Sequence, residues 1–320
     1  MNTFVKSSTR SVLVLGACGR LGGALLPAFT AAGWRVLAHT RRAEVPALAG
    51  VTWLRGPVEQ VGSHARAAGG AAVVVHAMNP PYTRWDTELL PQVNAALGAA
   101  RALGARLLFP GNVYAYGPPL PALIDAATPP RPGTRKGALR AEAEARLRAS
   151  GVPTVVVRAG DFFGSGQGAW LDLVVAKALR RKGRIVYPGP LDLPHAWAYL
   201  PDLAQGFVAV AEAESRLAPY EELPFAGHTV TGTDWVAALT AGAQALGWLR
   251  AGQAAQVAPM PWGWLRLAGL VVPMAREVAA MRFLWDQPHR LDATAWHTRL
   301  GEPAQTPLTQ AVQAALAAMP

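Results

Sequence analysis

The sequence contains a single cysteine, Cys18, among its 320 residues. An intramolecular disulfide needs two cysteines, and a cysteine-rich metal site needs several thiolates close together. Both are therefore excluded, and we expect a protein of the reducing cytoplasm. The seven histidines are scattered without the close pairing of a helical zinc motif, so we expect no bound metal.

Long apolar runs are also absent. A membrane span needs about 18 consecutive apolar residues, and the nearest candidate, 259–274 (PMPWGWLRLAGLVVPM), contains Arg266 and three prolines. We interpret this segment as a buried or substrate-lining helix and expect no membrane contact. The apolar run 11–17 ends in glycines, unlike a signal peptide, which indicates a buried strand.

Lysine is scarce, although the net charge is +10. Most of the basic residues are arginines, and they are scattered through the chain apart from one cluster at 180–184. Nucleic-acid binding needs basic residues concentrated on one face. We therefore expect no nucleic-acid partner.

Short runs of Val, Ile and Leu alternate with alanine-rich segments in the first half of the chain. This alternation is typical of a parallel sheet covered by helices on both faces, and it predicts a Rossmann-type, doubly wound α/β fold. The predicted strands are 12–15, 35–38, 51–54, 73–76, 106–109 and 154–158, and the helices between them include 89–103 and 138–149.

The pattern changes after Gly164, where strands become isolated and aromatic residues and prolines become more frequent. We predict an NAD(P)-binding Rossmann domain over 1–164, to which a helix at about 203–214 returns. A smaller substrate-binding domain is expected over 165–200 and 218–320, with Trp262 and Trp264 as an aromatic wall.

A glycine-rich turn follows the first predicted strand. Gly16 permits a tight turn, Gly19 allows a pyrophosphate to approach the backbone, and Gly22 lets the next helix pack closely. The free backbone amides at the start of a helix favour the binding of a phosphate group. The spacing predicts a dinucleotide site, with a purely structural turn as the alternative, at Gly16, Gly19, Arg20, Leu21 and Gly22.

The second predicted strand is followed by Thr40, Arg41 and Arg42. An NAD-specific site would place a carboxylate here, against the ribose 2′-hydroxyl. Guanidinium groups instead suit the 2′-phosphate of NADP. The sequence thus favours NADP, with NAD still possible, unless the arginines merely solvate a loop.

Several motifs, in order, resemble the extended short-chain dehydrogenase/reductase family, the NAD(P)-dependent epimerase/dehydratase group. They span about residues 10–215 and comprise 16–22, 73–79 (VVVHAMN), 107–117 (LLFPGNVYAYG), 158–164 (RAGDFFG) and 198–204 (AYLPDLA). The resemblance implies an NAD(P)-dependent enzyme, with Ala77, Met78, Asn79 and Asp161 beside the cofactor.

The family's catalytic residues are replaced. Its members usually have Ser or Thr after the fifth strand and Tyr-x-x-x-Lys on the next helix. Counting back from Gly117 puts Asn112 at the serine position, and counting back from Glu144 puts Lys136 and Arg140 at the tyrosine and lysine positions. The resemblance therefore implies an atypical active site.

Three explanations compete for the proton donor in the absence of the family's tyrosine. Lys136, facing Arg140 in a desolvated cleft, could donate the proton, or it could be a solvated lysine at a helix start. Tyr114 or Tyr116 could serve as the acid, although both could simply pack. The chain could also bind the dinucleotide without chemistry. His195 is a further candidate, or a hydrogen-bonded structural histidine, and the loop 80–85 could cover the cleft or lie on the surface.

We predict an NADP-dependent oxidoreductase of the epimerase/dehydratase type that acts on a carbonyl or hydroxyl group of a small molecule or nucleotide sugar. The alternative is a catalytically silent NADP(H)-binding sensor. A small-molecule substrate is the expected partner, and a homodimer is possible.

Overall fold

The computed structural model describes residues 10–164 and 168–319. The strands in these residues are β1 (Ser11–Leu15), β2 (Arg35–Thr40), β3 (Val51–Arg55), β4 (Val73–His76), β5 (Arg106–Gly111), β6 (Leu123–Ile124), β7 (Thr154–Arg158), β8 (Asp161–Phe163), β9 (Arg184–Tyr187), β10 (His195–Tyr199), β11 (Tyr220–Pro224), β12 (His228–Val230), β13 (Gln256–Pro259) and β14 (Arg290–Leu291).

The α-helices lie between these strands or follow them. They are α1 (Arg20–Ala31), α2 (Val61–Ala67), α3 (Trp85–Leu103), α4 (Arg135–Ala149), α5 (Ala176–Lys182), α6 (Leu200–Glu212), α7 (Gly232–Ala245), α8 (Trp262–Ala268), α9 (Pro273–Ala280), α10 (Phe283–Asp286), α11 (Thr294–Leu300) and α12 (Leu308–Ala317). A π-helical turn, Leu171–Val175, leads into α5.

The central layer is a seven-stranded sheet in the order β11-β7-β5-β4-β1-β2-β3. Every neighbouring pair is parallel, for example Val12 beside Val36 on one side and Val73 on the other. All residues of β1 are buried, because helices cover both faces of the sheet. The predicted doubly wound Rossmann fold is confirmed.

The two faces of the sheet pack against different helices. On one face, Val12 and Val14 join an apolar cluster with Leu25 of α1 and with Leu203 and Phe207 of α6. On the other, Leu13 and Leu15 pack with residues of α2, α3 and α4. The helix α6 therefore packs on the main sheet.

The smaller part of the molecule contains the short sheet β12-β10-β8 and the pairs β13-β9 and β14-β6. Its core is aromatic, with Phe163, Trp197 and Trp235 packed on α7 and α12. No helix within the described residues is both long and apolar enough to cross a membrane.

One segment lies outside the part predicted for it. We expected residues from 218 onward in the smaller domain, but β11 is the edge strand of the main sheet, with Tyr220 beside Thr154. Glu221 and Glu222 make this strand look like a surface loop in sequence. Their charges are compensated by partners from distant segments, Arg299 and Arg158.

Candidate functional site

The glycine loop lies between β1 and α1, against the end of β4. Gly16 has a positive φ of 81°, and a Cβ there would lie 2.9 Å from the carbonyl carbon of Ala77. A side chain at Gly22 would overlap the carbonyl oxygen of Gly16. Neither position tolerates a side chain, so the loop holds the start of α1 close to the sheet.

The start of α1 is open toward solvent. Gly19 is exposed, its amide donates to the Gly16 carbonyl over 2.9 Å, and no side chain caps the helix. The following amides, those of Arg20 and Leu21, lie at the positive end of the helix dipole. This geometry fits a phosphate group.

The end of β2 lies next to the same loop. The Thr40 hydroxyl accepts hydrogen bonds from the Arg42 amide at 3.0 Å and from the Cys18 thiol at 3.3 Å. Arg41 and Arg42 are both exposed. A shallow cavity of about 390 Å³ adjoins them, and its lining contains one cation and one carboxylate, in the set Arg41, Gly56, Pro57, Val58 and Glu59.

Lys136 lies in the first turn of α4 and is buried. Its ammonium forms an ion pair with Glu277 of α9 and lies 5.2 Å from the centre of the Tyr82 ring. Burial lowers the pKa of Lys136; the Asp86 charge opposes this change and Arg276 adds to it. We expected Lys136 to face Arg140, but its ammonium pairs with Glu277 instead.

Arg140 faces away from Lys136. Its guanidinium donates to the Pro110 carbonyl at the end of β5 and lies 4.7 Å from the centre of the Phe109 ring. Burial lowers the pKa of Arg140 to about 10. Asn112 accepts a 3.1 Å hydrogen bond from the Tyr114 amide. Residues at the family's lysine and serine positions thus bind backbone groups in this structure.

Two tyrosine hydroxyls meet close to Lys136. The hydroxyls of Tyr82 and Tyr114 are 2.7 Å apart. Burial raises the pKa of both groups, and the nearby Asp161 charge raises them further while Arg20 lowers them. Both tyrosines therefore keep their protons at neutral pH. Tyr82 was expected only as part of a covering loop, because nothing in the sequence pairs it with Tyr114.

Asp161 and His195 form a hydrogen-bonded pair, with 3.1 Å between carboxylate oxygen and Nε2. The His195 ring is buried and packs on Trp197, Trp285 and His289 at centroid distances of 4.7, 4.8 and 4.4 Å. Burial alone would raise the pKa of Asp161. The hydrogen bond with His195 and the Arg20 charge outweigh burial, so the pKa lies below its ordinary value.

His289 was not expected in this cluster. It is fully buried, and burial is the main reason that its pKa falls to about 3, so the ring is neutral at physiological pH. A lone histidine 94 positions after His195 carries no sequence signal of this contact. Among the described residues, no group of histidines, cysteines and carboxylates is arranged to hold a metal ion.

The aromatic wall expected from Trp262 and Trp264 is absent. Trp262 is buried and donates to the Pro188 carbonyl over 2.7 Å, whereas Trp264 is 73% exposed on the outer surface. The aromatic residues near His195 lie elsewhere in the chain. Trp197 and Trp285 pack on the His195 ring, and Trp170 and Trp235 pack on Trp197.

A family model supports the sequence resemblance. The model that describes the NAD dependent epimerase/dehydratase family matches residues 12–223. The chain belongs to this family. The family consists of dinucleotide-dependent enzymes, so the predicted family and enzyme class are confirmed, together with NAD(P) as the class of cofactor.

Solved structures of family-like enzymes share the whole fold. The Bordetella bronchiseptica enzyme WbmH in complex with NAD+ is 17% identical, with 97% of each chain covered and a TM-score of 0.74. MoeE5 in complex with UDP-glucose and NAD is 18% identical, covering 96% of this chain and 98% of its own, with a TM-score of 0.72.

A third structure, the GalE-like L-threonine dehydrogenase from Cupriavidus necator, is 19% identical, covers 96% of this chain and 99% of its own, and has a TM-score of 0.72. No curated protein matches this chain. Identities this low establish the shared fold and not the substrate. The substrate of this epimerase/dehydratase family member must be argued from its own cleft.

Proposed function

We propose that this chain is an NADP-dependent oxidoreductase of the epimerase/dehydratase type, acting on a carbonyl or hydroxyl group of a small molecule. One observation carries the proposal. Asp161 interacts electrostatically with Arg20 of the glycine loop and also with the paired hydroxyls of Tyr82 and Tyr114. These interactions support a dinucleotide site and a set of proton-transfer groups that lie close to each other.

Different parts of the loop region would hold different parts of the cofactor. Gly16, Gly19, Arg20, Leu21 and Gly22 would hold the pyrophosphate, and Thr40, Arg41 and Arg42 the 2′-phosphate end. Ala77, Met78, Asn79 and Asp161 would lie beside the nicotinamide. When bound, the cofactor supplies or accepts the hydride.

We assign proton transfer to Tyr114. A carbonyl oxygen that gains negative charge takes a proton from Tyr114 Oη, while Tyr82 holds that hydroxyl in place through the 2.7 Å hydrogen bond. Lys136 is the less suitable donor because its ammonium is already paired with Glu277. His195, oriented by Asp161, would bind a substrate hydroxyl.

The substrate would lie between Tyr114 and the aromatic residues around His195. We propose a small hydroxyl or carbonyl compound, with nucleotide sugars as one class to test, since MoeE5 was crystallised with UDP-glucose. We also propose that the enzyme is cytoplasmic. Cys18 is the only cysteine of the chain, so the chain cannot form an internal disulfide, which fits a reducing compartment.

A silent NADP(H)-binding sensor is the second candidate. It is favoured by the lack of tyrosine at the usual position of α4, where Lys136 pairs with Glu277 instead. The two candidates differ in whether hydride is transferred at all.

The test measures NADPH and NADP+ turnover with aldehydes, ketones and nucleotide sugars. We expect Tyr114→Phe to lower turnover by a factor of about 10² to 10⁴ while cofactor affinity stays unchanged. Tyr116→Phe is the matched control, because Tyr116 packs on the Arg158 guanidinium at 4.8 Å. A large loss with Lys136→Met and none with Tyr114→Phe would return the acid's role to Lys136.

Cofactor binding is tested separately by calorimetry. Gly19→Val should abolish binding, whereas Gly23→Val, where an added Cβ meets nothing within 4 Å, should preserve it. Tight NADPH binding without turnover of any compound in the panel would support the sensor. Unchanged binding by Gly19→Val would contradict the phosphate site itself.

A further inference from the structure

The helical hairpin formed by α8, α9 and the turn between them, residues 262–280, has an unusually apolar outer surface. Six of its large apolar side chains are exposed, namely Trp264 (73%), Leu267 (56%), Leu270 (80%), Val271 (83%), Val272 (46%) and Met274 (43%). Single exposed apolar residues are ordinary, but a continuous exposed patch marks a surface that contacts something.

The backbone amides at the tip of this hairpin are already hydrogen-bonded internally. The amides of Gly269, Leu270, Val271 and Val272 all donate to carbonyls of residues 265–268. Pro273, which follows, has no amide hydrogen. The tip can therefore leave water without stranding these donors, which is the requirement that an apolar lipid phase imposes.

Positive charges outnumber negative ones on the hairpin. Residues 235–276 contain no Asp or Glu and three arginines, Arg250, Arg266 and Arg276. Arg266 is exposed, and the Arg276 side chain is 68% exposed. The one acidic residue of the hairpin, Glu277, is paired with Lys136 and lies 3.6 Å from the guanidinium of Arg276. The surface thus combines apolar side chains with cations, like an interfacial membrane anchor.

We propose that the α8–α9 hairpin docks on the surface of an anionic lipid bilayer. Leu270 and Val271 enter the boundary of the acyl chains, Trp264 lies at the headgroup level, and Arg266 and Arg276 face lipid phosphates. The contact is peripheral. It reverses our expectation of no membrane contact and does not depend on the proposed reaction.

A second copy of the chain fits this surface less well. A two-fold contact would place the same patch on both sides, so that the Arg266 charges would face each other. The one acidic residue of the hairpin, Glu277, is already paired with Lys136 and Arg276. An anionic bilayer instead supplies the opposite charge along with the apolar phase.

The base of the hairpin is firmly attached to the body. Trp262 donates to the Pro188 carbonyl, Glu277 pairs with Lys136, and the neighbouring Met281 is buried in the main core. Because the tip side chains make no part of this attachment, substitutions at Leu270 and Val271 should leave the fold intact, which circular dichroism would verify.

The test is co-sedimentation of the full chain with vesicles of phosphatidylcholine, alone or mixed with phosphatidylglycerol. We expect binding that rises with the anionic fraction and weakens with salt. The double variant Leu270→Ser/Val271→Ser should lower the partition coefficient at least about tenfold. Arg266→Glu should lower it about fivefold or more.

Two variants elsewhere serve as matched controls. Leu173→Ser removes a leucine that is 72% exposed, and Arg216→Glu reverses an exposed charge; both should bind like the wild type. The proposal fails if anionic vesicles do not bind the protein, or if hairpin and control variants bind equally. It also fails if light scattering reveals a dimer that the double variant dissociates, since a second copy would then cover the patch.

Discussion

At the scale of single residues, the proposed preference for NADP over NAD rests on three side chains at one edge of the sheet. Arg41 and Glu59 line the same cavity, and Arg42 follows Arg41 in the exposed loop. A guanidinium binds the 2′-phosphate of NADP. A carboxylate would instead accept a hydrogen bond from the 2′-hydroxyl of NAD and would repel the phosphate. The two arginines and Glu59 therefore act in opposite directions.

We expect NADPH to bind about tenfold to a hundredfold more tightly than NADH, since a charge-assisted hydrogen bond contributes about 1.5 to 3 kcal/mol. The double variant Arg41→Ala/Arg42→Ala should lose this preference, and Glu59→Gln should increase it. Calorimetric titration with both cofactors measures each value.

Arg66→Ala, which removes an exposed arginine on α2, is the control and should leave the preference unchanged. Equal affinities of the wild type for the two cofactors would contradict the assignment to NADP.

Local residue patterns predicted the glycine loop well, because Gly16 and Gly22 act through backbone only a few residues away or on the adjoining strand. Partners that are distant along the chain could not be predicted. Lys136 binds Glu277, and Tyr82 binds Tyr114, yet neither pair follows a sequence spacing. Lys136 was expected to face Arg140 but pairs with Glu277, because a helix spacing of four residues does not determine where long side chains turn.

At the scale of secondary structure elements, Arg158 joins three of them. It is the last residue of β7 and is fully buried, and it pairs with Glu144 of α4 and Glu222 of β11. It also donates to the Asn112 carbonyl after β5. The segment that carries Asn112 and Tyr114 is thus attached to the sheet edge through one cation.

We expect Arg158→Leu to lower the free energy of unfolding by about 3 to 5 kcal/mol, because two buried carboxylates lose their shared partner. Urea denaturation measures this change, and Glu144→Gln provides a milder variant should the first fail to fold. Arg146→Leu breaks an exposed pair with Glu142 and should cost less than about 1 kcal/mol. Similar losses for the buried and exposed variants would contradict a structural role for the buried network.

Strands of Val, Ile and Leu were predicted within a residue or two, whereas β11 was not recognised. Its sequence, YEELP, carries two charges that only make sense once Arg158 and Arg299 are brought beside them by the fold. Periodicity detects apolar burial, and it does not detect polar groups that are buried as pairs.

At the scale of the whole molecule, buried neutral histidines make stability depend on pH. His76 and His289 are both buried, and burial is the main reason that their pKa values fall to about 4 and about 3. The Arg140 charge lowers the pKa of His76 further, and the His195 charge lowers that of His289. Protonation of either ring would place an unpaired cation inside the core.

The sign follows from which state binds the proton. Below the ordinary histidine pKa of about 6.5, the unfolded chain takes up protons that the folded core refuses, so the free energy of unfolding falls as pH falls from about 6.5 toward 4. Each buried histidine should contribute a loss of about 2 kcal/mol between pH 7 and pH 5.

Urea denaturation at pH 7, 6 and 5 measures this dependence. His76→Asn should be less stable at pH 7 but show a shallower decline toward pH 5, because one of the buried histidines that stay unprotonated in the folded core is gone. The matched control is His297→Asn, since the His297 side chain is 44% exposed and its removal should leave the decline as steep as in the wild type. If wild-type stability stayed constant from pH 7 to pH 5, the two histidines could not be held neutral in the core. If His297→Asn flattened the decline as much as His76→Asn, exposed histidines rather than buried ones would control the acid stability of the fold.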